Sequence, residues 1–230
     1  YNKYDGLTVN FAEAVNSAGG VIVGPDGKPN VAKPEAEKGV ELLTDWFKDG
    51  TIPKGAITWM EEEGRASFQG GNLIFHRNWP YVYGLASKDD GSSKINGKFD
   101  VAPLPGFGAA GVSSLGGHNY AIPKSADNKG TAADFLKFTA SEEEQKLNTI
   151  ASSAAPVSGS LYADAELVEK YPYLPVLLKS IETAQPRPKA VEYGDVTLAI
   201  QDAAYGALQG QTEPAAALQA LQAKLQTLIK

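Results

Sequence analysis

Amphipathic helical stripes bounded by proline and glycine constrain this chain most. Residues 34–49, "PEAEKGVELLTDWFKD", place Pro34 in a first helical turn and stop at Gly50. Val40, Leu43, Trp46 and Phe47 form the expected buried stripe. Residues 7–17 repeat apolar residues at helical spacing, and Gly19-Gly20 ends them. Near the other end, "DVTLAIQDAAYGALQG" carries Val196, Ile200, Ala203, Ala207 and Leu208 on one face. "EPAAALQALQAKLQTLI" carries Leu218, Leu221, Leu225 and Leu228. Such stripes must be buried against one another or against a sheet.

Between them the pattern changes. "VIVGPDGKPNV" reads as a hairpin-like tip around a Pro-Asp-Gly turn. "TWMEEEGRASFQGG" reads as a short helix with its acids early, closed by Gly70-Gly71. Residues 72–77 ("NLIFHR"), 99–105 ("FDVAPLP") and 118–123 ("HNYAIP") read as short strands ended by proline or a turn. From Lys129 onward the chain turns helical: "TAADFLKFTAS", "SEEEQKLNTIAS" with Ser141 capping through Glu144, and "LPVLLKSIETA" before Pro186. Strands mixed with many helices predict an α/β or α+β fold.

Composition removes several functions. Among 230 residues the net charge is -6, which opposes nucleic acid and anionic membrane surfaces alike. No run of 18 apolar residues occurs. There is no cysteine, and the two histidines, His76 and His118, lie far apart, so no cysteine or histidine metal site is expected. "GFGAAG" (106–111) matches a dinucleotide fingerprint in letters only. Prolines flank the strand before it and "VSSLGG" follows, so it reads as a crossover loop and no cofactor is expected. Ser113, Ser114 and His118 lack a nucleophile elbow and read as loop structure, His118 equally as a polar ligand contact. The sole methionine is Met60 and the chain opens at Tyr1, so a leader removed earlier or a longer parent protein is expected.

The candidate site is "FHRNWPYVYG" (75–84). Rings are core filler by default. Here Trp79, Tyr81 and Tyr83 follow a strand end, Pro80 stiffens the turn, and Arg77 and Asn78 add polar groups. A flat indole beside amide and guanidinium groups suits a sugar, whose C–H face packs on the ring while its hydroxyls pair with planar polar groups. "QPRP" displays Arg187 between two prolines. Glu61 is a further acceptor for a ligand. Glu62 and Glu63 read as a solvated first turn.

The order "YDGLTVNFAEAVNSAGG", "KPEAEKGVELLTDWFKDG", "EEEGRASFQGGNLIFHRNWPYVYG", "SSLGGHNYAIP", "AQPRP" and an Ala/Leu-rich terminal helix resembles family 1 extracellular solute-binding proteins, the sugar receptors of ABC importers. The trehalose/maltose-type branch is the most similar. The resemblance covers essentially the whole chain and implies an α/β, type II periplasmic-binding-protein-like fold with two lobes. It implies that Trp79 stacks on the sugar and that Tyr81 lines the site, while Asn78 stays a candidate on its polar amide alone. Gly116, Gly117 and His118 match a Gly-Gly-aromatic segment, with histidine where relatives often carry tryptophan. Arg187 matches a site arginine, and Glu61 a carboxylate. Family members are much longer, so the resemblance implies a fragment: residues 1–111 and 170–230 in the C-terminal lobe, 112–169 a helix-rich crossover that packs in the other lobe, and the N-terminal lobe largely missing.

Three functions follow as expectations. The first is a non-enzymatic, extracytoplasmic sugar receptor, periplasmic or lipid-anchored, monomeric, delivering a di- or oligosaccharide to ABC permease subunits. The second is a carbohydrate-active hydrolase using Glu61 with a distant carboxylate such as Asp195. The third is a structural lobe with Trp79 buried.

Overall fold

The computed structural model describes residues 1–229. They form ten α-helices: α1 (Asp5–Ser17), α2 (Pro34–Asp49), α3 (Glu61–Gln69), α4 (Val82–Ala86), α5 (Lys129–Thr139), α6 (Glu142–Ser152), α7 (Ala165–Lys170), α8 (Leu174–Glu182), α9 (Tyr193–Leu208) and α10 (Pro214–Leu228). Two 3-10 turns, Lys54–Thr58 and Gly159–Ala163, accompany them. The chain divides into two compact units: Tyr1–Ala66 with Pro103–Leu115 and Thr183–Lys230, and Ser67–Ala102 with Gly116–Glu182.

The first unit is built on aliphatic packing. Leu7, Phe11 and Val15 of α1 meet Val40 and Phe47 of α2, Val196 and Ile200 of α9, and Leu218, Leu221 and Leu225 of α10 in one core. Each buried Leu, Ile, Val or Phe contributes roughly 1.5–3 kcal/mol relative to exposure. Gly39 lets α1 and α2 approach closely, because a Cβ there would fall 2.3 Å from the Ala14 carbonyl oxygen. Gly50 ends α2 at φ +89°, a left-handed cap that glycine adopts without steric cost. Trp46 departs from the expected stripe and is 38% exposed. At 100° per residue it lies about 120° around the helix from Val40, whereas Phe47 returns almost to Val40's azimuth.

Loops of this unit are tied by polar bonds. The expected hairpin tip forms as a single bridge between Val23 and Pro29. The crossover is pinned to α1: the buried Glu13 carboxylate accepts the Ser114 N–H at 3.0 Å, and Ser17 Oγ accepts the Val112 N–H at 2.9 Å. Ser114 also bridges Gln185 in parallel, so Ser113 and Ser114 are loop structure. Residues 106–111 close on themselves, with Gly111 N–H donating to Leu104 C=O at 2.6 Å.

In the second unit Leu161, Tyr162, Leu167, Tyr171, Tyr173 and Leu174 form the core. The tyrosines bury their rings and satisfy their hydroxyls on backbone carbonyls: Tyr162 on Pro156 at 2.7 Å, Tyr171 on Ile150 at 3.1 Å, Tyr173 on Ser153 at 3.1 Å. Ser141 caps α6 as expected, its Oγ accepting the Glu144 N–H at 3.3 Å.

The three expected strands do not form ladders. Among the described residues the only bridges are isolated ones, and of residues 72–77, 99–105 and 118–123 only Pro105 takes part, in a local bridge to Ala110. A strand needs a partner edge along its length for its N–H and C=O groups, and these segments meet none. Ile74 and Phe75 are accordingly 88% and 90% exposed.

Candidate functional site: an indole platform

The Trp-Pro segment is held by its own side chains first. Asn78 Oδ1 accepts the Trp79 N–H at 2.7 Å, and Asn78 Nδ2 lies 2.9 Å from His76 Nε2. Burial, with help from the Arg77 charge, pushes the His76 pKa down to about 4. The imidazole is therefore neutral at pH 7, and with Asn78 Oδ1 already accepting, Nε2 is the acceptor for the Asn78 amide. Past Pro80, Val82 N–H donates to Trp79 C=O at 3.2 Å and Tyr83 N–H to Pro80 C=O at 3.0 Å, starting α4.

The rings then separate by role. Tyr83 belongs to a packed aromatic cluster, 4.5 Å from Tyr173, 5.3 Å from Phe99 and 6.1 Å from Tyr171 between centroids. Phe68 extends it to His76 at 5.4 Å. Trp79 stands outside this cluster and outside the buried core. Its ring lies under the Arg77 guanidinium, with Cζ 4.6 Å from the centroid. At its benzo edge the chain passes as glycine: a Cβ on Gly116 would sit 2.8 Å from Trp79 Cζ3. Gly117 follows at φ +146°. Backbone, indole and guanidinium thus meet at one place.

Of the eight expected site residues, the second unit sets Trp79 against both Asn78, through its N–H, and Gly116, through its ring. Tyr81 is next to this group as the N-cap residue of α4, Gly117 adjoins Gly116, and His118 is exposed just beyond. Asn78 serves the turn itself through both ends of its amide. Glu61 and Arg187 belong to the first unit. Glu61 opens α3, half-buried. Arg187 is ion-paired to Asp5, and Asp5 also accepts from Tyr193 Oη at 2.7 Å and Thr197 Oγ1 at 2.8 Å. Asp195, the distant carboxylate of the hydrolase reading, is exposed in the first turn of α9. Among the described residues no three His, Asp or Glu side chains gather as a metal site would require.

Sequence reasoning missed two supports. Ser153 touches the platform turn from the end of α6, and Asp5 anchors Arg187. Ser153 carried no local signal. Asp5 lay at the start of α1, where an acid reads as a dipole partner.

Comparison with known proteins places the chain in a class. The fold matches that of solved periplasmic solute-binding proteins. T. maritima MalE3 with maltose bound superposes at TM-score 0.91 with 34% identity, over 99% of this chain and 59% of that one. A solute-binding protein of an ABC transporter from Agrobacterium radiobacter, in complex with ribitol, gives TM-score 0.82 at 28% identity, over 96% and 56%. A profile described as bacterial extracellular solute-binding protein matches residues 3–176. A probable ABC transporter-binding protein of Deinococcus radiodurans is 34% identical over 229 residues, which is 97% of this chain and 54% of that protein. The chain belongs to the bacterial extracellular solute-binding proteins. It spans little more than half the length of these relatives. No helix among the described residues is long and apolar enough to cross a membrane.

Proposed function

We propose that this chain is the larger part of an extracytoplasmic receptor, periplasmic or lipid-anchored, that binds a di- or oligosaccharide of the trehalose/maltose type and delivers it to ABC permease subunits without chemically changing it. The observation that carries the reading is Trp79, kept out of the aromatic core and braced by Arg77 and the Gly116 backbone. An indole so held offers a flat apolar face at no further ordering cost, which suits the C–H face of a pyranose. Tyr81, Asn78, Gly117 and His118 surround it in sequence. Glu61 and Arg187 are proposed as further polar ligand contacts. Relatives support a carbohydrate or polyol as ligand: one structure carries maltose and another ribitol. The lobe assignment that goes with this reading, residues 1–111 and 170–230 against 112–169, and a monomeric state are proposed with it.

The test is a tryptophan-fluorescence titration of the full-length receptor containing this chain with maltose, trehalose and glucose. A saturable change that the Trp79→Ala variant lacks is the expected result. A full-length receptor that responds to none of these sugars, or a Trp79→Ala variant that responds equally well, contradicts the proposal.

A further inference from the structure

Ser153 stands where a helix ordinarily ends in glycine. It follows α6 with φ +54° and ψ +20°, the left-handed region, and is the one residue other than glycine with positive φ among those described. A side chain there is strained, and glycine is the usual occupant. Ser153 is also 1% exposed, so solvent does not hold its hydroxyl. Something in the interior must use it.

The user is the turn that carries the platform. Helix α4 begins with Tyr81 as N-cap, and Tyr81 offers no side-chain capping bond. The N–H groups of Val82 and Tyr83 are satisfied by Trp79 and Pro80. Gly84, in the third helical position, is the N–H that an N-cap side chain would ordinarily reach. It donates instead to Ser153 Oγ at 3.3 Å, and the same hydroxyl donates to the Tyr81 carbonyl at 3.2 Å. One hydroxyl thus uses its donor and an acceptor on the two ends of one turn. Tyr173 Oη adds a second tie, lying 3.1 Å from the Ser153 carbonyl and 3.5 Å from that of Pro80. Gly84 completes the fit, since a Cβ there would lie 2.7 Å from Ser153 Oγ.

We infer that Ser153 is a positioning residue for the Trp79–Tyr81 platform, capping α4 from 69 residues away and fixing the turn that presents the indole. The inference deepens the proposed sugar site and rests on that reading for its functional meaning. Its test does not need a ligand. The full-length receptor is used with every tryptophan but Trp79 replaced by Phe, Trp46→Phe and Trp59→Phe among them, which leaves Trp79 as the sole reporter. Acrylamide quenching and the emission maximum of Trp79 are then compared in Ser153, Ser153→Ala and Ser153→Gly proteins, alongside helical circular dichroism and the unfolding midpoint.

Ser153→Gly is the deciding variant, because it removes the hydroxyl and relieves the left-handed strain together. The expected result is a quenching constant raised by about twofold or more and a red-shifted emission, with helicity and midpoint held at or above the starting level. Unchanged quenching in Ser153→Gly overturns the inference and leaves Ser153 a helix stop only. If Ser153→Ala unfolds, Ser153→Gly alone decides. Loss of fold in both variants also overturns it, making the hydroxyl a general stability element. A sugar titration that fails while Trp79 loosens separates failure of the sugar reading from failure of this one.

Discussion

The two units of this molecule are held together by different chemistry. The first is an aliphatic core shared by α1, α2, α9 and α10, with Val15, Ile200 and Leu225 wholly removed from solvent. The second is smaller and leans on tyrosines whose rings are buried and whose hydroxyls are tied to carbonyls. Its helix α5 has no buried residue, and Phe135, Phe138 and Leu147 are exposed on α5 and α6. The platform sits in this second unit. A site on the more weakly packed unit depends on specific hydrogen bonds for its geometry, where the first unit depends on volume and burial. On the proposed reading, Asn78, Gly116 and Ser153 are expected to matter more to the site than any single aliphatic side chain does.

Hydrogen exchange exposes the contrast most strongly. Amides of α1 and α9 are expected to exchange about a thousandfold or more slowly than those of α5, since local opening is easy where few apolar groups are buried. Equal protection would erase the distinction. Core truncation gives the next largest effect. Leu225→Ala is expected to cost about 2–5 kcal/mol in denaturant unfolding, by lost burial and the cavity left behind. Phe135→Ala, on the exposed face of α5, is expected to stay within about 0.5 kcal/mol. A large loss from Phe135→Ala would mean that α5 is packed after all.

Acid should act on the second unit through His76. Burial, then Arg77, holds the His76 pKa down to about 4 against an ordinary 6.5. As pH falls below 6.5, the unfolded chain takes up this proton and the folded one does not. Stability from this group is therefore fully present above pH 6.5 and is lost as pH falls towards 4. The loss is on the order of 1–2 kcal/mol after allowance for partial exposure. His76→Gln should flatten that part of the pH profile of unfolding. A profile unchanged by the substitution would place the proton elsewhere.

Much of the first unit was legible in the sequence. Pro34 and Gly50 bound α2 where the residues said they would, and the Leu218, Leu221, Leu225 stripe faces the core. Local capping and periodicity carry that information. The extended segments were misread because strand propensity at Ile74 and Phe75 does not supply a partner edge, and pairing is a non-local property. Trp46 was misplaced by counting apolar residues without their azimuth. At the site, the Trp-Pro turn marked the platform, but nothing in "FHRNWPYVYG" separates Tyr83, which packs in the cluster, from Trp79, which does not. That separation depends on Phe99, Tyr171 and Tyr173, which are remote in sequence. The bond from Ser153 to Tyr81 spans 72 residues and could not be read locally.

The central claim is that neighbouring rings of one turn have opposite jobs, Trp79 for a ligand and Tyr83 for the core. Paired variants in the full-length receptor test it most directly, each measured for sugar affinity and for unfolding free energy. Trp79→Ala is expected to weaken maltose or trehalose binding by about 30-fold or more while changing stability little. Tyr83→Ala is expected to destabilise the second unit by about 2–4 kcal/mol, with affinity at low temperature largely kept. The reverse pattern, binding intact without Trp79 and lost without Tyr83 at unchanged stability, would contradict the account.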